Sequence, residues 1–165
     1  MRFLLVTLLA AMPLQAADNP NVKHLLDHWS KSKVYMLKLA EQMPADQYTS
    51  RPNDAEMTFG EQMIHISNAI VSLTRGYAPK KFPTFDPKKT DKETAIADLN
   101  TAFDDGAAAI GSLTDADFTK VVDTPEGKMT ALEAVVLAFN HTEHHRGQAI
   151  VYLRYKNIKP VDFDY

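Results

Sequence analysis

The 165-residue chain contains no cysteine and only one tryptophan. Without cysteine there is no disulfide framework, no thiolate nucleophile, no Cys-ligated zinc and no iron–sulfur cluster. Positive charge is not in excess either. With 18 Lys plus Arg against 21 Asp plus Glu, the formal net charge is -3, which gives no general attraction to phosphate backbones and excludes nucleic acid as a partner class. A phosphate-cradling Gly loop, a Gly-x-Ser-x-Gly elbow and a dinucleotide fingerprint are all missing. No apolar run approaches the roughly 20 residues that span a bilayer as a helix.

One apolar run does stand out, from Phe3 to Met12, behind the positive Met1-Arg2. Pro13-Leu14-Gln15-Ala16 then leads to Ala17-Asp18. This is the layout of a secretory signal, although Leu14 fills a position where a small residue is preferred. The expectation is cleavage after Ala16, a periplasmic or extracellular location, and no stable membrane insertion afterwards. Residues 17–165 are then one domain, because the length suits a single core and 45% apolar residues are enough to build it.

Four long segments have helical character. Thr58-Phe59-Gly60-Glu61, Thr90-Asp91-Lys92-Glu93 and Thr130-Ala131-Leu132-Glu133 each place Thr three residues before Glu. In such a capping box the hydroxyl and the carboxylate satisfy orphan backbone donors reciprocally. The first helix is predicted from Pro20 to Met43, stopped by Pro44, with Leu25, Trp29, Met36, Leu39 and Met43 forming its apolar stripe. The second runs from Phe59 to about Tyr77. The third runs from Asp91 to about Leu113, with Ile96, Leu99, Phe103 and Ile110 on one side. The fourth runs from Ala131 to about Lys156, closed by Asn157. Pro79, Pro83 and Pro87 mark a long ordered crossover between the second and third helices. Thr124-Pro125-Glu126-Gly127 is a turn that suits a small hairpin before the fourth. The fold class is therefore all-α, a four-helix bundle.

The chemistry concentrates in His141-Thr142-Glu143-His144-His145-Arg146-Gly147-Gln148. His141 and His145 stand one helical turn apart on one face, so both imidazoles can converge on one ion. A third ligand must come from another helix, and His65, between Ile64 and Ile66, is the candidate. The alternative is three packed, hydrogen-bonded histidines with no metal. His144 is read as a supporting group, since His145 aligns better with His141. His24 and His28 form another i, i+4 pair, read as a solvated face of the first helix. Gln148, Gln62 and Glu61 are candidates to orient imidazoles or substrate, or else polar groups at the bundle's rim. Arg146 points off the histidine face and is expected to pair with a carboxylate. Peptidase chemistry is excluded by the order of residues: a His-Glu-x-x-His site needs Glu directly after the first histidine, and Thr142 is there.

His141-x-x-His144-His145-Arg146-Gly147-Gln148 followed by Tyr152-Leu153-Arg154, together with Arg51-Pro52, Thr58-Phe59-Gly60-Glu61-Gln62 and His65, resembles the DinB/YfiT-like metal-binding four-helix bundles. The resemblance covers nearly the whole chain after the signal. It implies a divalent cation held by His65, His141 and His145. Some of these relatives are thiol-dependent transferases or isomerases, which use the metal to generate a thiolate. The export signal sets this chain apart from them, because those activities depend on the thiol-rich cytoplasm.

Two classes of function follow. One is an exported metal-dependent enzyme of thiol-transferase or hydrolase type acting on a small molecule, its catalytic residues beyond the ligands unassigned. The other is a non-catalytic bundle in which the ion is structural or sensed. Imidazole suits Zn, Ni, Cu and Fe alike; the expected ion is Zn or Ni, ahead of Fe or Cu. The resemblance further implies a homodimer through helix faces.

Overall fold

The computed structural model describes residues 19–163; the expected signal segment, 1–16, lies outside the described residues. Four helices carry the fold: α1 (Pro20–Gln42), α2 (Phe59–Thr74), α3 (Lys92–Gly111) and α4 (Ala131–Tyr155). Single 3₁₀ turns follow α1 at Ala45–Gln47 and α2 at Arg75–Tyr77. Strands β1 (Val121–Thr124) and β2 (Gly127–Thr130) form the antiparallel hairpin, pairing Val121 with Thr130 and Thr124 with Gly127. Among the described residues, no helix is long and apolar enough to cross a membrane.

Local chemistry sets each boundary. Asn19 caps α1, accepting from the Asn21 and Val22 amides at 2.9 and 3.4 Å, and Pro20 occupies the first helical position. Thr58 and Glu61 close a full capping box on α2, and Thr130 and Glu133 do the same on α4. Each box is worth about 1 kcal/mol of helix stability. The third expected box is not formed. Asp91 caps α3 instead, its carboxylate accepting from the Thr94 amide at 3.0 Å. An Asp at the cap outcompetes a box begun one residue earlier, and the Thr90 carbonyl lies against α2. It packs on Gly60, where an added Cβ would come within 2.0 Å of it. Lys92 then reaches across to the end of α1, donating to the Glu41 and Met43 carbonyls at 2.6 and 3.0 Å. At the other end of the bundle, Asn157 takes the left-handed conformation with φ of 58°. The Asn157 and Ile158 amides bond back to the Arg154 and Leu153 carbonyls, both at 2.9 Å, which closes α4.

The core is one continuous cluster. Trp29, Met36, Leu39 and Met43 of the predicted α1 stripe are buried in it, as are Leu99, Phe103 and Ile110 of α3. Leu25 and Ile96 sit at its margin. Trp29 spends its one polar group inside, donating Nε1–H to the Phe103 carbonyl at 2.8 Å. Each fully buried large side chain contributes about 1.5–3 kcal/mol of transfer free energy. Round the bundle, α1 packs on α3, α3 on α2, α2 on α4 and α4 on α1, so α1 lies diagonal to α2 and α3 to α4. The α2–α4 seam is where the histidines meet. The crossover from α2 to α3 is anchored along it by buried Phe82 and Phe85. Asn68 on α2 holds Phe85 from both sides, accepting from its amide at 3.2 Å and donating to its carbonyl at 3.3 Å. Lys80 adds an ion pair to the buried Asp105 of α3 at 3.0 Å.

Candidate metal centre

Helix α2 presents His65 to the seam, and α4 presents His141 and His145 from one turn above the other. One nitrogen from each of the three lies within 4.8 Å of the others. Ring centroids are 5.0 Å apart for His65 and His141, 4.6 Å for His65 and His145, and 4.5 Å for His141 and His145. The structure thus brings together the three histidines that spacing and resemblance singled out. His24 and His28 stay apart from them, stacked edge to face at 5.0 Å on α1.

The three imidazoles are neutral lone-pair donors at pH 7. Burial lowers the pKa of His65, with the charge of His144 adding to the effect. Burial likewise lowers His141, followed by its neighbours His65 and His144, while Glu126 acts in the opposite sense. His145 is pushed down to about 4, chiefly by burial and then by the two partner histidines.

Two glutamines set the orientation of His145. Its Nδ1 lies 2.6 Å from Gln62 Oε1 and 2.9 Å from Gln148 Oε1. Two acceptor oxygens on one nitrogen fix the proton on Nδ1, which leaves the Nε2 lone pair for an ion. Gln148 turns its Nε2 to His144 Nε2 at 3.0 Å, and the His144 ring packs edge to face on His145 with centroids 4.9 Å apart, so His144 borders the centre without offering a nitrogen to the cluster. Of the groups that the sequence leaves open between orienting an imidazole and lying at the rim, Gln62 and Gln148 contact His145, whereas Glu61 serves the start of α2. Its carboxylate accepts from the Thr58 amide at 2.6 Å, and the α2 cap uses it; that bond holds its pKa below the usual range.

The rest of the α4 motif faces away. Thr142 is buried and donates to the Ala138 carbonyl at 2.9 Å. Glu143 pairs with Arg146 and accepts from Ser32 Oγ at 3.5 Å. Arg146 also lies over the Tyr35 and Phe163 rings, at 5.4 and 4.6 Å from their centroids. The expected carboxylate partner for Arg146 is therefore Glu143.

Beside the histidines opens a cavity of about 590 Å³, to which His65 and His141 both contribute. A smaller one of about 450 Å³ lies on the other side of His65, against Met57 and Glu61. Volumes of this order suit small-molecule sites.

The sequence profile of the DinB family matches residues 15–165. The chain belongs to the DinB family. A Bacillus subtilis (strain 168) protein named only as uncharacterized protein YjoA is 26% identical over 141 residues, spanning 83% of this chain and 89% of the relative. Two solved structures share the fold. A DinB-like protein from Bacillus cereus ATCC 10987 superposes with a TM-score of 0.70 at 21% identity, covering 87% of this chain and 97% of the other. The DinB-like YjoA structure from Bacillus subtilis gives 0.68 at 20% identity, covering 86% and 96%. At such identities the structural likeness speaks for the fold alone.

Several contributors to the DinB-type centre are not singled out by motif reading. Asn68 anchors the crossover; Tyr152, present in the family pattern but given no role there, donates its hydroxyl to the Met57 carbonyl, tying α4 to the segment ahead of α2. Arg75 and Glu126 line the larger cavity. For Asn68 and Arg75 a signal existed: both continue the His65 stripe along α2 at three- and four-residue steps.

Proposed function

We propose that His65, His141 and His145 hold a divalent transition-metal ion, Zn²⁺ or Ni²⁺ before Fe²⁺ or Cu²⁺, and that the protein is a metal-dependent enzyme of thiol-transferase or hydrolase type. The observation that carries this reading is the convergence of three neutral imidazole nitrogens within 4.8 Å, one of them with its proton fixed on the far nitrogen by Gln62 and Gln148. That donor set fits a borderline ion such as Zn²⁺. Three uncharged ligands leave such an ion its full charge, and when bound it supplies a Lewis acid able to bring a water or thiol towards neutral pKa.

This chain's own residues do the positioning. Gln62 and Gln148 hold His145, while Asn68 fastens the crossover to α2 and Tyr152 fastens α4 to the segment ahead of α2. The cavity against His65 and His141 supports the enzyme over a purely structural ion, because a small molecule can approach that side. Export belongs to the same reading, supported by the charged and apolar halves of residues 1–16; a mature N-terminus at Ala17 is the result that bears on it.

The test pairs metal analysis with turnover. Protein purified without a tag is expected to carry about one transition ion per chain, lost in His141→Ala, and to turn over a thiol, ester or amide substrate only when loaded. Retained metal in His141→Ala would remove the site. Bound metal with no turnover of any of these classes would leave the ion structural or sensed.

A further inference from the structure

The larger cavity is a groove with two unlike ends. Its floor is one stripe: His65, Asn68 and Ser72 of α2 and Arg75, which opens the 3₁₀ turn after it, recur at three- and four-residue steps. Ten residues separate His65 from Arg75, roughly 15 Å along the helix axis. The opposite wall comes from α4, where Leu137 stands one turn before His141, and from the hairpin turn at Pro125 and Glu126.

The middle of this groove has little polar capacity to spare. Asn68 commits both ends of its amide, donating to the Ile64 and Phe85 carbonyls and accepting from the Phe85 amide. Ser72 donates its hydroxyl proton to the Ala69 carbonyl at 3.1 Å. What remains there for a ligand is carbon surface, from Ala69, Leu73 and Leu137. Arg75 is different. It is exposed at the end of α2 and makes no ion pair among the described residues. Glu126, the other charged side chain on the wall, makes no ion pair among the described residues either; it lines the groove with His141 and its charge is felt there, so it complements a cation at the histidine end.

We propose that the α2–α4 groove binds an elongated apolar molecule with an anionic end group, the anion held by Arg75 and the other end presented to His65 and His141. The pairing follows from charge complementarity: the guanidinium is the one cationic side chain lining the groove, at the end away from the histidines and beyond a middle of carbon and satisfied polar groups. An acyl or aryl chain ending in a carboxylate or sulfonate is the matching class. Arg75 is then a specificity-determining residue. The presentation of the opposite end to a metal rests on the function proposed above; the hold of Arg75 on the anion does not.

Calorimetry on the Zn²⁺-loaded protein separates the two. The probes are suberic acid monohydroxamate, its methyl ester, the corresponding amine-ended hydroxamate, and acetohydroxamate as the chelating head alone. The acid is expected to bind about five- to tenfold more tightly than the ester, an advantage that shrinks with added salt. Arg75→Gln is expected to bring that ratio close to one while ester affinity and metal content stay unchanged. Equal binding of acid and ester, a ratio that survives Arg75→Gln, or preference for the amine would each overturn the proposal. Octanoate, which has no chelating head, covers failure of the metal reading. If acetohydroxamate does not bind, octanoate binding that Arg75→Gln abolishes still supports the groove assignment, and no octanoate binding ends it.

Discussion

Two faces of the same eight-residue stretch of α4 are built to opposite ends. On one face, Glu143 and Arg146 pair with each other, Glu143 accepts from Ser32, and Arg146 lies over two aromatic rings. The C-terminal segment lies over them, held by Tyr35 donating to the Val161 carbonyl at 3.0 Å and by Gln42, which accepts from the Val161 amide at 2.8 Å. On the other face, His141 and His145 are neutral, with His145 held from behind by two glutamines and His141 turned to a cavity. The difference lies in what each side chain has left over. Charges matched inside the protein contribute stability and offer nothing to a ligand. Imidazoles whose second nitrogen alone is bonded keep a lone pair for one.

Substitutions can break that contrast, and the effects should fall in a definite order. His145→Ala removes a ligand outright, and Zn²⁺ affinity should drop by more than the roughly 10–100-fold that loss of a supporting partner costs; competition with a chromogenic chelator measures it. Gln62→Leu comes next, weakening Zn²⁺ binding about tenfold by releasing the His145 ring while the fold persists. Arg146→Ala should do the reverse. It leaves Zn²⁺ affinity intact and lowers unfolding free energy by about 2 kcal/mol, less than the full cost of breaking a buried pair because Glu143 keeps some contact with water. Urea denaturation of the metal-free protein reads this, and a loss of Zn²⁺ affinity in Arg146→Ala would erase the distinction between the faces.

The smallest effect belongs to neither face. Asp117, ahead of β1, accepts from Lys120 at 2.6 Å and from the Thr114 hydroxyl and amide at 2.6 and 2.8 Å, and these bonds hold its pKa down to about 2. Its folded pKa is below the ordinary value of about 3.9, so its contribution is present above pH 4 and is lost as pH falls through about 2. Asp117→Asn should therefore reduce thermal stability slightly at neutral pH and remove that acid-side loss. An unchanged acid-side slope in the variant would assign it to other carboxylates.

Much of the bundle was legible because its signals are local. Thr58-x-x-Glu61 and Thr130-x-x-Glu133 announce helix starts through bonds spanning three residues, and Asn157 announces an end through one backbone conformation. The misread start at Thr90 shows where this stops. Asp91 competes for the same cap, and Thr90 is held by Gly60, thirty residues back in the chain. The histidine pair on α4 was legible for the same reason, being one turn of a single helix. His65 was reachable only through the apolar stretch around it and the family pattern. The groove was not legible, because Arg75, Leu137 and Glu126 come from three elements whose packing no local spacing encodes. Glu61 misled because a carboxylate one turn from a histidine resembles an orienting group, while helix capping claims it first.

The most direct test of the central claim is metal content by mass spectrometry, on tag-free protein beside a variant with His65, His141 and His145 all replaced by alanine. About one transition ion per chain in the protein and none in the variant is the predicted result. No ion in either, with added Zn²⁺ and Ni²⁺ failing to raise the melting temperature, would contradict it and leave three packed imidazoles in the seam between α2 and α4.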